Sequence, residues 1–383
     1  WNAAFAGRVA FLDLAGRRTR WTGDRREFIG RNGSLSDPAG LAGTTGLSGA
    51  VGAGLDPCGA MATVVELPPG AETEIVILLG DAEGPEQAGA LIARYRKADL
   101  DAVLAEVRKH WDNLLGAVRV KTPDRSMDIM LNGWLLYQTI ACRIWARSAF
   151  YQASGAYGFR DQLQDGMALA SIHPSLTREH LVRAAGRQFA EGDVQHWWLP
   201  HSGQGVRTRI ADDKIWLAYC VAHYLKVTGD SSVLDELVPF LEGPRLAENE
   251  HDSFFSPTIS DKAASVYEHC AIALEARLSC GSHGLPLMGT GDWNDGMNRV
   301  GEGGKGESVW LAWLSHMALT DFAEVAKARG DSARSALWYD HASALQKAVE
   351  REAWDGDWYR RAWFDDGTPI GSAASDECRI DSI

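Results

Sequence analysis

The chain has 383 residues, of which 45% are hydrophobic, so it is long enough for two domains and can build a large core. Its formal net charge is −13, from 38 basic and 51 acidic side chains, which argues against nucleic acid or an anionic membrane as the main partner. Neither a run of 18 apolar residues, nor a signal peptide, nor a metal-ligand spacing among the 11 histidines is found in the sequence.

Six cysteines are scattered without a CxxC pair, which predicts reduced thiols in a cytoplasmic protein. The chain begins with Trp1 rather than a methionine and stops at Ile383. We therefore expect it to be part of a longer protein.

Residues 1–92 alternate short apolar runs with clusters of turn-forming residues. Within them, residues 8–13 and 73–79 predict β-strands. We expect an all-β region, a sandwich that lacks its first strands. Residues 93–122 change character: helical periodicity up to residue 117, followed by a short extended piece, predicts a helical linker.

Residues 123–383 predict one helix after another, separated by loops rich in Gly, Trp and Asp. The first helix, residues 128–146, is apolar nearly all round and is expected to be buried. Long helices that alternate with such loops are typical of a toroid of paired helices with the loops at one mouth. The further helices are predicted at residues 176–190, 212–227, 261–280, 307–329 and 332–354.

Residues 289–298, which we call the acid loop, read Gly-Thr-Gly-Asp-Trp-Asn-Asp-Gly-Met-Asn. Asp292 and Asp295 flank Trp293 among glycines that let the backbone turn sharply. A carboxyl group here can protonate a glycosidic oxygen while the indole packs on a sugar ring. Such an acid must stay protonated near neutral pH, which predicts a partly desolvated position. The alternative is a turn whose acids cap the next helix.

A second cluster lies at the start of another predicted helix, within residues 155–165. Asp161 and Asp165 are four residues apart and share one helix face, and Arg160 and Gln164 lie beside them. The cluster predicts sugar or phosphate binding. The alternative is an acidic first turn that complements the helix dipole, although this explains neither the arginine nor the glycine-aromatic lead-in.

A third cluster combines a tryptophan pair, Trp197 and Trp198, with two arginines on a glycine-rich loop, Arg207 and Arg209. One tryptophan of such a pair usually belongs to the core. Arginines on a glycine-rich loop can clamp an oxyanion such as phosphate. Plain surface charges are the alternative.

Taken together, these segments resemble the inverting glycoside phosphorylases of glycoside hydrolase family 94, formerly glycosyltransferase family 36. They resemble in particular the phosphorylase-like C-terminal region of cyclic β-1,2-glucan synthases. The resemblance covers essentially the whole chain, and it is carried by residues 21–34, 155–165, 203–213, 289–301 and 376–383.

The resemblance implies a multidomain β plus α fold: the C-terminal part of a β-sandwich in residues 1–92, a helical linker in residues 93–122, and an (α/α)6 barrel in residues 123–383. In the family the barrel continues beyond the segment that matches Ile383, so we expect the barrel to be truncated at its C-terminus. Part of the phosphate pocket would lie in the missing portion.

The resemblance also implies site residues. Asp295 maps onto the general acid, and Arg160, Asp161, Asp165 and Trp293 map onto sugar contacts. We add Asp292 and Gln164 as further substrate contacts from the two clusters, and Arg160, Arg207 and Arg209 as phosphate contacts. No metal or cofactor is expected, because inorganic phosphate is the co-substrate.

The implied reaction is reversible, inverting phosphorolysis of β-glucosidic bonds, on β-1,2-glucan, to give α-glucose 1-phosphate. Phosphate is already an anion and needs no second carboxylate as base, unlike the water of an inverting hydrolase. Two alternatives stay open: an inverting hydrolase on the same barrel, and a non-catalytic glucan-binding domain that controls chain length. The expected partners are a β-glucan and phosphate, without nucleic acid or direct membrane contact, at the cytoplasmic face of the inner membrane in a glucan synthase; a homodimer is left open.

Overall fold

The computed structural model describes residues 5–42, 46–147, 155–375 and 378–379. The chain divides into two compact units, Trp1–Asp112 and Asn113–Ile383. The last segment that carries the resemblance, residues 376–383, therefore lies mostly outside the described residues. No helix in the described part of the chain is both long and apolar enough to cross a bilayer.

Two antiparallel ladders of two strands each form the sheet structure of the first unit. The strand predicted at residues 8–13 is confirmed, and the expected β region contains in addition two short helices that were not predicted, Arg25–Ile29 and Ala39–Ala42. Asp24 begins the first of these helices by accepting a hydrogen bond from the Arg26 amide. The ladders pair Val9–Asp13 with Leu78–Ala82, and Arg20–Asp24 with Pro57–Ala62.

The strand predicted at residues 73–79 is displaced, because the observed strand is Leu78–Ala82. Its partner strand ends at Asp13, which pairs with Leu78. Ala15 and Gly16 then turn the chain away with positive φ angles. Apolar residues upstream of Leu78 therefore lack a strand to pair with in the described part of the unit, and Ile77 is largely exposed.

The predicted helical linker is made of two helices, Pro85–Tyr95 and Leu100–Leu115. The first begins before residue 93, where the linker was predicted to start, because Gly84 is extended and Pro85 occupies the first helical position. Residues 118–122 form no regular element. Instead, both the amide and the carbonyl of Val120 bond the side chain of Asn132.

The buried helix predicted at residues 128–146 is wrong in two respects. The segment alternates short α-helical turns with wider π turns, and Gly133 lies outside helical φ/ψ. One stripe, Leu136, Ile140 and Ile144, is buried against Leu169, but the large apolar side chains outside the stripe, such as Trp134 and Trp145, are exposed. The stripe follows the i, i+4 spacing of one helix face. The elements are Arg125–Ile129, Met130–Trp134, Leu135–Gln138 and Thr139–Trp145.

The other predicted helices are found with shifted ends, except for residues 261–280. There the chain forms the strand Thr258–Ser265 before the helix, because these residues pair with Leu237–Glu242. Ser265 then caps the helix by accepting from the Glu268 amide. The helices are Phe159–Met167, Pro174–Ala185, Asp213–Thr228, Val266–Glu275, Val309–Ala328 and Ser332–Ala348, with short turns at Ser231–Asp235, Asp295–Met297 and Val349–Ala353.

The second unit contains a four-stranded antiparallel sheet, which carries part of the site described below. Two of its strands lie where loops were predicted around the tryptophan pair and the two arginines, so that assignment is wrong. The strands are Tyr157–Gly158, Gln195–Trp198, Gly205–Thr208 and Asp252–Phe255. A smaller sheet contains Glu307–Ser308, Ala362–Trp363 and Pro369–Ile370.

The main core of the second unit joins the faces of its long helices. Trp198 is buried among them and stacks on Tyr157, whereas Trp197 is only half-buried, as expected for one member of a tryptophan pair. Phe322 and Trp338 connect the last two long helices within the same core. The described elements fit a helical domain with a small sheet, and a closed (α/α)6 barrel stays a prediction.

Candidate active site

The acid loop, residues 289–298, forms a loop as predicted, with one short helical turn at Asp295–Met297. Gly289 pairs with Ile210, and the Ala211 amide donates to the Gly291 carbonyl at 2.9 Å. Gly289 adopts φ +62°, and a Cβ there would collide with the carbonyl oxygen of Arg209. Glycine at this position therefore allows the loop to lie directly against the neighbouring backbone.

Asp292 anchors the acid loop from inside the protein. Its side chain has no exposed surface, and it is paired with Arg361 at 2.7 Å and accepts a hydrogen bond from Ser308 at 2.6 Å. Ser308 also caps the helix Val309–Ala328. The prediction that Asp292 contacts substrate is therefore wrong for this structure, because its oxygens are enclosed and already bonded.

Replacing Asp292 with asparagine is expected to destabilise the protein by about 3–5 kcal/mol, because it leaves the buried Arg361 charge without its carboxylate. Equilibrium urea unfolding followed by tryptophan fluorescence measures this change. The matched control is Asp235→Asn, which removes an ion pair with Arg329 whose aspartate is 68% exposed. Solvent screens that pair, so the control should change stability far less. Equal losses in both variants would contradict the anchoring role.

Arg160 is the buried centre of the site. It lies in the first turn of the helix Phe159–Met167 and donates to Asp212 at 2.9 Å and to Asp295 at 2.6 Å. It also donates to the carbonyls of Asp292 and Trp293 at 3.2 and 3.0 Å. Burial opposes the charge, but the nearby carboxylates outweigh it and raise the pKa of Arg160 above its ordinary value. Arg160 thus fixes both the backbone and the carboxylate of the acid loop.

Asp295 lies at the rim of this cluster, with 52% of its side chain exposed. Burial is the largest single influence and would raise the pKa of Asp295. The contact with His196 and the charge of Arg160 together outweigh burial and hold the pKa below its usual value. The expectation of a protonated carboxyl in a desolvated place is therefore wrong for the substrate-free protein, in which Asp295 is ionised.

His196 is the functional candidate that the sequence reasoning missed. It lies on the strand Gln195–Trp198, with Nδ1 at 2.8 Å from Asp213 and Nε2 at 3.7 Å from Asp295. Burial lowers the pKa of His196, but the two carboxylates outweigh burial and raise it to about 10. The imidazole is therefore a cation at neutral pH, placed between a buried acid and an exposed one.

Asp212 and Asp213 form the buried side of the cluster, at the start of the helix Asp213–Thr228. Asp212 accepts from the Trp216 indole at 2.8 Å, and burial together with the charge of Asp213 raises its pKa to about 7 despite Arg160. Adjacent acids before an apolar helix are also a common N-terminal capping pattern, so the sequence alone does not mark them as site residues. His196 was masked by the tryptophan pair that follows it.

Three further predicted substrate contacts, Trp293, Gln164 and Asp161, are exposed or only partly buried. Trp293 is 45% exposed, and its indole donates to Gln164 at 3.4 Å. Asp161 follows Arg160 in the same helix and accepts no hydrogen bond from the residues that the structure describes. Its oxygens are thus available to a ligand. Substrate contact by all three residues stays a prediction.

Asp165 lies on the same helix but has different partners. It pairs with Arg147 at 2.5 Å and with Arg143 at 3.2 Å. Burial outweighs both cations and raises the pKa of Asp165. Asp165 therefore shares no hydrogen-bond partner with Asp295 in the described structure. Its contact with sugar stays a prediction.

Arg207 and Arg209 are not part of the cluster around Asp295. Arg207 is buried on a strand and bonds Asp193 at 2.6 Å, so the prediction of a free clamp on a glycine-rich loop is wrong. Arg209 donates to the carbonyls of Glu250 and Ala247 at 2.7 and 2.6 Å. Neither residue contacts Asp295 or Arg160 in the described structure, and phosphate binding by either one stays a prediction.

Among the residues that the structure describes, no group of three or more His, Cys, Asp or Glu side chains is arranged to hold a metal ion. The cluster contains instead two cations, Arg160 and His196, interleaved with carboxylates. Such an arrangement can move and position a proton at an exposed carboxyl group. It is suited to acid–base chemistry on a ligand that reaches the rim.

Comparison with known families gives two matches. Residues 110–383 match the catalytic domain of the Glycosyl hydrolase 94 superfamily. Residues 1–98 match the supersandwich domain of Glycosyl hydrolase 94. The whole acid loop and the cluster around Arg160 lie within the catalytic match.

Three relatives illustrate the range of similarity. The chain is 50% identical to cyclic beta-(1,2)-glucan synthase NdvB of Rhizobium meliloti, over 100% of this chain and 14% of the relative. It is 31% identical to solabiose phosphorylase of Paenibacillus borealis, over 97% of this chain and 45% of the relative. It is 28% identical to N,N'-diacetylchitobiose phosphorylase of Vibrio furnissii, over 84% of this chain and 41% of the relative. The chain thus spans less than half the length of each of these relatives.

Proposed function

The chain belongs to the glycosyl hydrolase 94 superfamily. On that premise we propose that it carries the general acid of a glycoside phosphorylase site. The proposed reaction is reversible, inverting phosphorolysis of β-glucosidic bonds, on β-1,2-glucan, within a protein similar to a cyclic β-1,2-glucan synthase. The matched relatives named as phosphorylases and as a glucan synthase support it.

One observation carries the proposal: the side chain of Asp295 is exposed, and it is held by two cations, the buried Arg160 and the partly buried His196. Arg160 holds one carboxylate oxygen at 2.6 Å, and His196 lies 3.7 Å from the other. The carboxyl group is thereby fixed in direction, while half of its side chain stays open beside Trp293. A general acid needs this combination of a defined orientation and access to the leaving oxygen.

The acid obtains its proton from His196. In the free protein the pair holds one proton, and it resides on the imidazole. A sugar that covers the exposed half of Asp295 removes water from the carboxylate, and desolvation raises the pKa of a carboxyl group. The Nε2 proton then moves to Asp295, which passes it to the glycosidic oxygen. Asp213 stabilises the histidine in its charged form.

The bond changes balance with phosphate as the co-substrate. The bond from the anomeric carbon to the glycosidic oxygen breaks, and that oxygen takes the proton of Asp295. A phosphate oxygen forms the new bond from the opposite face, which converts a β-glucoside to α-glucose 1-phosphate. The hydrogen of hydrogen phosphate replaces the proton that the Asp295–His196 pair gave away, so the pair returns to its initial state.

The three buried carboxylates of the cluster favour phosphorolysis over hydrolysis, and the partly exposed Asp161 is assigned to sugar binding instead. An inverting hydrolase needs a second carboxylate to activate water. Asp212, Asp213 and Asp292 are buried and bonded to Arg160, His196 and Arg361, so none of the three is open to a substrate water. Phosphate needs no such base.

Sugar contacts are assigned to the rim. Trp293 offers an exposed indole face on which a glucose ring can pack, and Asp161 and Gln164 offer oxygens to its hydroxyl groups. Asp165 orders the adjoining helix through Arg143 and Arg147. Arg160 positions the acid loop, because its guanidinium already bonds two carboxylates and two carbonyls.

The test is a product assay on the full-length protein with β-1,2-glucan, with and without inorganic phosphate. We expect glucose 1-phosphate only when phosphate is present, with the α configuration by NMR at early times. Reducing sugar released without phosphate would identify a hydrolase. Tight binding of the glucan without either product would identify a binding domain. β-1,3- and β-1,4-linked glucans are the matched controls for the linkage.

A further inference from the structure

A second cavity in the catalytic unit lies apart from Asp295. It has a volume of about 530 Å³, and its wall includes Lys214, Arg277 and the glycine-rich stretch 301–304. Gly289 and Gly301, on either side of the catalytic turn of the acid loop, also line it, whereas Asp295, His196 and Trp293 do not. The volume falls in the range of sites for small-molecule ligands.

The cavity contains more cations than the protein itself neutralises. Arg207 is paired with Asp193 at 2.6 Å and Glu191 at 3.2 Å, and Arg245 is paired with Glu191 at 2.8 Å. These pairs occupy the carboxylates of Glu191 and Asp193. The other two acids of the wall, Glu248 and Glu302, are exposed, where solvent and salt screen them.

Lys214 and Arg277 are left without a carboxylate partner. Within the described residues neither forms an ion pair with a carboxylate, and Arg277 donates to the Leu287 carbonyl at 2.6 Å. The Nε of Arg277 is buried and has no hydrogen-bond partner. A buried polar group without a partner destabilises a protein unless a ligand or water completes it.

The position of Lys214 makes the excess of positive charge more costly. It lies in the first turn of the helix Asp213–Thr228, where the helix dipole is positive and favours anions. Burial, followed by the charge of Arg277, lowers the pKa of Lys214 to about 8. Burial also lowers the pKa of Arg277 to about 10. The charges of Asp193 and Asp213 near Lys214, and of Asp212 near Arg277, only partly offset this burial.

We propose that this cavity is a second ligand site that binds a phosphoryl group, with Lys214 and Arg277 as its cationic contacts. Two cations without partners match the double negative charge of a phosphate monoester or of hydrogen phosphate. The glycine-rich stretch offers few free donors, because the amide of Gly303 already bonds Asp365 and the amide of Gly304 bonds the Gly301 carbonyl. The volume leaves room for a sugar attached to the phosphoryl group.

The first test measures the reactivity of Lys214 in the full-length wild-type protein. At pH 8, trace acetic anhydride labels amines that are partly unprotonated, and peptide mass spectrometry quantifies the labelling at Lys214. We expect inorganic phosphate or glucose 1-phosphate to slow this labelling at least tenfold, because a bound anion raises the lysine pKa and covers the amine. Glucose and sodium chloride at equal ionic strength should not. Unchanged labelling with both phosphates, or equal protection by glucose, overturns the proposal.

The two arms distinguish the sources of the phosphoryl group. If glucose 1-phosphate protects Lys214 at lower concentrations than inorganic phosphate does, the ligand is a sugar phosphate. If inorganic phosphate protects Lys214 equally well or better, the ligand is the free anion. Titration calorimetry on Lys214→Met should show at least tenfold weaker binding at one site. The control Arg245→Gln, whose arginine lines the same cavity but is paired and exposed, should bind within twofold of wild type. This binding test does not depend on turnover at Asp295.

Discussion

Asp295→Asn lowers kcat for glucan phosphorolysis by about 10²–10⁴-fold, the usual contribution of a general acid, while binding of the glucan is retained. The amide keeps the shape of the side chain and can still accept the bond from Arg160, but it cannot deliver a proton. Initial rates of glucose 1-phosphate formation in the full-length protein give kcat, and titration calorimetry gives the glucan affinity.

A leaving group that needs no proton provides the discriminating arm. With a nitrophenyl β-glucoside as donor, the variant should lose much less activity than with the glucan, because the phenolate leaves as an anion. Asp340→Asn is the matched control, since this aspartate lies in the same unit with an exposed side chain. Wild-type rates on the glucan in Asp295→Asn would remove Asp295 from the mechanism. An equal loss on both donors would show damage to the site rather than loss of an acid.

His196→Gln should turn a flat pH–rate profile into a falling one. In the wild type, Asp295 and His196 share one proton, which is lost only as the pH rises through the His196 pKa of about 10. In the variant, Asp295 alone must hold that proton, and an aspartate with an ordinary or lowered pKa loses it below neutrality. The wild-type-to-variant ratio of kcat should therefore rise about tenfold per pH unit across the neutral range.

The ratio is measured at saturating phosphate from pH 5 to 9, so that the titration of phosphate itself cancels between the two proteins. His201→Gln is the control, because this exposed histidine lies close in sequence but outside the cluster. It should follow the wild-type profile. A ratio for His196→Gln that does not change with pH would show that the histidine only supports the structure.

Elements with strong local signals were predicted well. The helices at Asp213–Thr228, Val309–Ala328 and Ser332–Ala348 follow from apolar periodicity and from polar caps such as Ser308 and Asp331. Residues 261–265 were misread as helix, because their partner strand, Leu237–Glu242, cannot be found from local sequence. Strand pairing is a non-local choice, and local periodicity does not contain it.

The candidate site shows the same division. Asp295 and Arg160 stand out in the sequence because each lies in an unusual segment rich in glycine, aromatic and acidic residues, and the structure joins them across 135 positions. The protonation state of Asp295 could not be predicted from its sequence segment. An isolated loop suggests a desolvated acid, whereas the fold places two cations against it and ionises it.

By itself, the sequence determined where the acid loop lies, that it is a loop, and where the long helices at Asp213–Thr228, Val309–Ala328 and Ser332–Ala348 lie, because glycine spacing and apolar period act over a few residues. Tertiary structure alone decided which acid of the loop is usable. Asp292 is enclosed by Arg361, 69 positions away, while Asp295 stays open and receives His196 from a separate strand. Burial and charge pairing depend on residues that only the folded chain brings together, and these two quantities set the pKa of a carboxyl group.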